Sequence, residues 1–311
     1  MDARIPVILD VDTGIDDAFA LLLAALHPRL NLLGVTCVDG NAPVAAVVQN
    51  TLRVLDAAGR PDVPVVAGAH RPLVAQPHYA YEVHGSDGFG DIDWPTSART
   101  PHDADAVTWL HQTITRSTEP VTLVTLAPLT NIALLFQQHP DVQGHLKRIV
   151  VMGGSAGPGN VTALAEFNVH HDPEAAALVF ASEVPITMYG LDVFNDVVID
   201  QADVVRLAAA PTHAAQLAAR LAEFFATVLS YPLCIGDAGA VCAVIDPDAL
   251  TTARLTTTVV TTPGVAYGMT ATDRRPIVYD GAVPLEGRVI DVALDINAAR
   301  YSELWLSTLM T

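Results

Sequence analysis

Four carboxylates fall within eight residues near the start of the chain, in Asp10-Val-Asp-Thr-Gly-Ile-Asp-Asp, with no lysine or arginine among them. Carboxylates at that density repel one another, and a hard divalent cation held through oxygen is the chemistry that relieves them. Capping and the helix dipole account for one or two acidic residues at a first helical turn, here Asp16 and Asp17, but not for four. Farther along, polar side chains recur where apolar runs end: Asp39 and Asn41, then Asn160, Glu166 and Asn168, the last three spaced six and two apart as on an irregular loop.

What must position these residues is a set of parallel strands. Short β-branched runs alternate with Ala/Leu-rich segments of helical period, the pattern of strands joined by crossover helices. Ile5–Leu9, Leu32–Val38, Val63–Gly68, Val121–Thr125, Arg148–Met152 and Pro185–Gly190 read as strands. Helices are expected over Asp16–His27, Val44–Ala58, Asp103–Ser117, from Pro128, over Pro173–Ser182 and across Ala202–Leu229. Leu255–Thr262 and Val289–Leu294 read as further strands and Ala298–Met310 as a closing helix. The fold class is therefore α/β, one open domain over residues 1–311 with a mostly parallel sheet, and a ligand would sit outside the carboxyl ends of its strands. His70–His102 is long for a connection and polar, which marks it as functional.

Composition narrows the chemistry. With 16 Lys+Arg against 34 Asp+Glu the formal charge is −18, and Lys147 is the single lysine, so an electrostatic nucleic-acid binder is excluded. No apolar stretch reaches the ~18 residues of a membrane helix, and the first strand turns acidic too soon for a signal peptide; a cytoplasmic protein is expected. Cys37, Cys234 and Cys242 sit in apolar stretches without metal-type spacing and read as buried reduced thiols. Asp10-Val-Asp-Thr also resembles the motif of magnesium-dependent haloacid-dehalogenase-type phosphatases. That reading needs a lysine at the phosphate, and it leaves the other polar residues unexplained.

Taken together, Asp10-Val-Asp-Thr-Gly-Ile-Asp-Asp-Ala, Val38-Asp-Gly-Asn, Leu126-Ala-Pro-Leu-Thr-Asn-Ile-Ala, Val151-Met-Gly-Gly, Ala165-Glu-Phe-Asn-Val, Asp172-Pro-Glu-Ala-Ala and Gly190-Leu-Asp resemble the inosine–uridine-preferring nucleoside hydrolases, in order along nearly the whole chain. The resemblance implies a Rossmann-like core, a bound Ca2+, a neutral nucleoside substrate and a homodimer or homotetramer. It implies Asp12 as general base and cation ligand, joined by Asp17, the Leu126 carbonyl and Asp237, with Asp10 supporting. Asp16 and Asn168 would hold the ribose 2′- and 3′-hydroxyls, Asn160 and Glu166 the 5′-hydroxyl, and Asn41 would lie beside base and ribose. The chemistry is coherent: an N-glycosidic bond breaks through an oxocarbenium-like cation, which needs an activated water and negative surroundings.

The chain departs from the family at the leaving group. Many members carry a histidine before the late aspartate, whereas Ile235-Gly-Asp-Ala has Gly236 there. A loop histidine by itself is more often solvated than catalytic, but His84 lies in a segment similar to the mobile loop of the pyrimidine-preferring enzymes and is the candidate acid. Phe167 and Tyr231 are candidates to stack on the base, and strand alternation would turn Cys234 away from it. A cationic N-riboside such as nicotinamide riboside needs no protonation and fits the same gap. The remaining alternatives are the phosphatase and a nucleoside- or ribose-binding protein without turnover.

Overall fold

A computed structural model describes residues 4–228 and 232–311. Among these residues nine strands form one sheet: β1 (Ile5–Val11), β2 (Leu30–Cys37), β3 (Val65–Ala67), β4 (Val121–Thr125), β5 (Leu146–Met152), β6 (Ile186–Tyr189), β7 (Leu250–Val259), β8 (Thr270–Thr272) and β9 (Arg288–Ile296). Their order is β3-β2-β1-β4-β5-β6-β9-β7-β8. All neighbouring pairs through β9 are parallel, and β7 runs antiparallel to both β9 and β8. The chain builds outward from β1 in one direction and then from β4 in the other, so the order reverses between them. At such a reversal the loops leave in opposite directions and open a crevice at the carboxyl ends of the strands.

The central strands are apolar on both faces because helices cover both faces. Val7, Leu9 and Val11 of β1 enter one core while Ile8 enters the other, and β5 divides likewise, Val150 and Met152 against Ile149 and Val151. The helix Ile15–Leu26 after β1 is buried almost all round. Trp305 of the closing helix Ala298–Leu309 donates its indole N–H to the Phe19 carbonyl at 3.1 Å and packs edge-on against the Phe19 ring at 5.2 Å. This packing makes the amino end of Ile15–Leu26 a rigid platform for the acidic motif.

The expected strands and helices through β6 are present with shifted ends. Four differences matter. The stretch expected to be helical over Ala202–Leu229 is two helices, Gln201–Ala209 and His213–Val228, parted around Pro211, which cannot donate to the ladder. The region taken as a loop up to Asn168 ends in a helical turn, Phe167–His171, because Glu166 caps it. Ala238–Ile245, unassigned from sequence, is a wholly buried helix with no amphipathic period to read. The strand expected at Leu255–Thr262 begins at Leu250. The three cysteines are free and buried, as expected. Among the described residues no helix is long and apolar enough to cross a membrane.

Candidate active site

β1 ends in the acidic motif, and its backbone opens the crevice. Asp10 is the buttress: one carboxylate oxygen accepts hydrogen bonds from the Thr36 hydroxyl and, at 2.8 Å, from the Asn131 amide. Asn131 also donates to the Cys37 carbonyl at 3.1 Å and accepts from the Ala69 N–H at 2.8 Å, so it ties three strand ends together. Burial still lifts the Asp10 carboxyl to about 7. Sequence reasoning passed over Asn131, although it lies within the Leu-Thr-Asn segment quoted above.

Asp12 is fully buried, and its Oδ2 accepts the Asn41 backbone N–H at 2.7 Å. Asp17 accepts the Gly14 N–H at 2.9 Å, the Asp12 N–H at 3.3 Å and the Asn41 amide at 3.3 Å. Asn41 therefore bridges the two carboxylates, and Gly14 opens the helix on which Asp16 and Asp17 lie. Ligand oxygens of Asp16, Asp17 and Asp237 all fall within 4.8 Å of one another. The expected set of Asp12, Asp17 and Asp237 thus appears with Asp16 as the third member of the tightest group and Asp12 adjoining it.

Burial and mutual repulsion drive Asp12, Asp17 and Asp237 toward protonation. The Asp17 carboxyl rises to about 8, by burial first and the Asp16 charge second. Asp12 and Asp237 lie well above the usual carboxylate range, Asp12 through burial and then Asp17, Asp237 through burial and then Asp16. Asp12 Oδ1 and Asp16 Oδ1 are buried without a hydrogen-bond partner among the described residues. Oxygen-only donors, excess negative charge and buried, unpartnered oxygens are what a hard divalent cation requires. The residues present fit that group.

Above the cluster is a cavity of about 300 Å³, at the small end of ligand pockets. Asp16, Asn41, Leu126, Asn160 and Asp237 line it, together with His84 and the Glu166-Phe-Asn segment. The Asn168 amide donates to the Leu126 carbonyl at 2.9 Å and the Met152 carbonyl at 3.2 Å, which joins the ends of β4 and β5. Glu166 accepts N–H groups from Gly154 at 2.9 Å, Asn168 at 2.8 Å and Val169 at 3.1 Å, so its carboxylate holds the loop as well as facing the cavity. Burial raises its pKa against those bonds. The Asn160 side chain accepts the Phe167 N–H at 2.9 Å at the exposed rim.

At the His84 end of the cavity the structure decides one open alternative and corrects one expectation. His84 is not solvated: it is 5% exposed, its Nδ1 accepts the Ile15 N–H at 3.2 Å, and its ring stacks on Phe225 at 6.1 Å. Its Nε2 lies 4.0 Å from Asp16, and burial lowers its pKa despite that charge. Cys234, expected to face away, lines the cavity, because the chain turns at Gly236 rather than running extended to Asp237. Its thiol is pushed up to about 12 by burial.

Gly236 has φ +51°, and a Cβ there would stand 2.8 Å from the Asp16 Cβ and 2.9 Å from the Phe194 ring. A side chain at 236 would be strained as well as crowded. Phe194 and Phe225, not foreseen, also line the cavity, as do His78, Tyr79, Ala80, Glu82 and Val83 from the long connection expected to be functional. Tyr231 lies outside the described residues. Lys147 is exposed at the amino end of β5, across the sheet from the carboxylates, so the phosphatase reading lacks its lysine.

Comparison with known proteins agrees with this geometry. The family model described as inosine-uridine preferring nucleoside hydrolase matches residues 7–303. The pyrimidine-specific ribonucleoside hydrolase RihA of Shewanella sp. (strain MR-7) is 46% identical over 220 residues, 71% of this chain and 69% of that protein. The RihA of Salmonella agona (strain SL483) is 41% identical over 71% of each. A plant nucleoside hydrolase, PpNRh1, superposes with a TM-score of 0.93 over 99% of both chains at 28% identity. A purine-preferring ribonucleoside hydrolase from Gardnerella vaginalis gives 0.89 over 98% of both at 27%.

Proposed function

The chain belongs to the inosine-uridine preferring nucleoside hydrolase family, and on that premise we propose that this ribonucleoside hydrolase is calcium-dependent, uses Asp12 as general base and prefers pyrimidine ribonucleosides. The observation that carries the reading is the buried, unpartnered Asp12 Oδ1 beside the Asp16–Asp17–Asp237 cluster, of which Asp16 and Asp237 line the cavity.

Asp12, Asp17, Asp237 and the Leu126 carbonyl would hold the cation. When bound, it supplies charge neutralisation and Lewis-acid activation of water. Asp12 takes the proton of the attacking water, its Oδ2 being occupied by Asn41 and its Oδ1 remaining for the transfer. Asp16 and Asn168 hold the ribose diol; the Asn168 amide is committed to Leu126 and Met152, which leaves its carbonyl oxygen for a hydroxyl donor. Glu166 and Asn160 bound the 5′ end. As the C1′–N bond breaks, the surrounding carboxylates stabilise the cationic ribosyl group, and the lysine-free cavity disfavours a phosphorylated substrate.

The departing base takes its proton from His84. The imidazole is available for this because Gly236 offers no donor and Phe225 holds the ring over the cavity. The pyrimidine preference is supported by the names of the RihA relatives.

The test is reducing-sugar release from uridine, cytidine, inosine, adenosine and nicotinamide riboside, with and without a calcium chelator and with Asp12→Asn as the blank. Uridine or cytidine turned over fastest, with loss on chelation and in the blank, is the expected outcome. Release that persists in Asp12→Asn removes the general-base assignment, and nicotinamide riboside turned over above both pyrimidines removes the base preference.

A further inference from the structure

Beneath the base end of the cavity lies a buried acid–base pair that the mechanism does not use. The His171 side chain is 0% exposed and that of Asp39 2%, and His171 Nε2 faces Asp39 Oδ2 at 3.5 Å. Neither of these atoms has a hydrogen-bond partner among the described residues. The other ring nitrogen, Nδ1, donates to the His78 carbonyl at 3.0 Å. On its second oxygen, Asp39 accepts the Tyr79 hydroxyl at 3.4 Å.

We propose that Asp39 and His171 are a positioning pair that sets His84 over the departing base, an inference that rests on the assignment of His84 above. Residues 78, 79 and 80 are held one after another: His78 by His171, Tyr79 by Asp39, and Ala80 through its N–H to the Asn41 carbonyl at 3.1 Å. The single turn Tyr81–His84 hangs directly from this anchor, with the N–H groups of Val83 and His84 bonded to the Ala80 carbonyl at 3.0 and 2.9 Å.

His84 is thus four residues beyond Ala80, in a long connection between β3 and the helix Ala106–Arg116 that contributes no strand to the sheet. His171 comes from the same short helix as Phe167 and Asn168, and Asp39 from the segment that carries Asn41. One buried contact therefore couples the sugar-facing helix, the end of β2 and the segment bearing the acid. A carboxylate that accepts from Tyr79 and faces an imidazole has a directional reason to sit there; packing alone would be met by apolar groups.

A positioning role separates from a general structural one by leaving group. 4-Nitrophenyl riboside departs as a stabilised phenolate and needs no acid, whereas uridine does. Wild-type enzyme is assayed first on both; absence of turnover there overturns the reading of the preceding section, and this proposal with it. In His171→Leu and Asp39→Ala, kcat on uridine is expected to fall by about 100-fold, the lower end of what a positioned acid contributes, with kcat on the nitrophenyl riboside within about twofold. Asp39→Asn, which keeps an acceptor for Tyr79, should recover most of the uridine rate. Equal losses on the two substrates, or no loss on uridine, overturn the proposal. Should the leucine and alanine variants fail to fold, His171→Gln and Tyr79→Phe carry the same comparison.

Discussion

Among the described residues, two places bring three ligand-type groups within 4.8 Å of one another: Asp16, Asp17 and Asp237 at the carboxyl ends of the strands, and His111, His139 and Asp141 among the outer helices. By residue type the second is the better candidate for a transition metal, with two imidazoles and a carboxylate. The difference lies in solvent. His111 keeps about a quarter of its side chain exposed and Asp141 two thirds; they pair at 3.4 Å, and the imidazoles of His111 and His139 stack at 4.0 Å and 11°. None of the three side chains has a buried polar atom left without a hydrogen-bond partner among the described residues. The aspartates are buried, Asp17 and Asp237 are lifted toward protonation, and Asp16 Oδ1 is left without a hydrogen-bond partner among the described residues. Proximity makes a cluster, and desolvation makes it a site.

The largest effect that could break this contrast is on turnover. Asp17→Asn removes a group that meets Asp12, Asn41 and the cation cluster, and kcat/KM should fall by a factor on the order of 1000, or about 4 kcal/mol of transition-state stabilisation. A loss below about tenfold would make the cluster architectural.

The next is stability without cation. The folded-state carboxyls of Asp17 and Asp10 stand at about 8 and about 7 against an ordinary 3.8. The folded protein therefore holds protons that the unfolded chain has released. That contribution is whole below pH 3.8 and is lost as pH rises through about 7 to 8. Chelated protein should show a melting temperature that falls across this window. Calcium at about 100 times its Kd should restore about 2.7 kcal/mol at the upper end. A melting curve insensitive to both pH and calcium would refute the desolvation argument.

The smallest effect concerns the exposed cluster. His111→Ala and His139→Ala should each change stability by no more than about 0.5 kcal/mol, read by urea denaturation, and leave turnover within about twofold. Larger changes would mean that the outer cluster has a role its exposure does not suggest.

Much of the site was legible because it is local. Asp10, Asp12, Asp16 and Asp17 share one strand-to-helix turn, and their meaning follows from charge density alone. Glu166 and Asn168 could be placed by the matching motif, but not the cap that bends them inward, which depends on Glu166 reaching Gly154 across a loop. Gly236 read as a missing histidine; in the fold it is a left-handed residue with no space for a Cβ beside Asp16. Cys234 was misplaced for the same reason, since alternation assumes an extended chain where the backbone turns. Asp39 and His171, 132 residues apart, carry no sequence signal of their partnership.

By itself the sequence determined what is periodic or contiguous: alternating strands and helices, a parallel sheet, four carboxylates at one strand end, and too little positive charge to neutralise them. Only the tertiary structure decided which carboxylates converge, that His84 is buried against Phe225 rather than solvated, and that residues 78–80 are anchored from below. Periodicity and charge density are carried by neighbours along the chain. Desolvation and direction, which turn an acidic motif into a site, come from segments far apart in sequence packing over it, as when Asn131 reaches back 121 residues to Asp10.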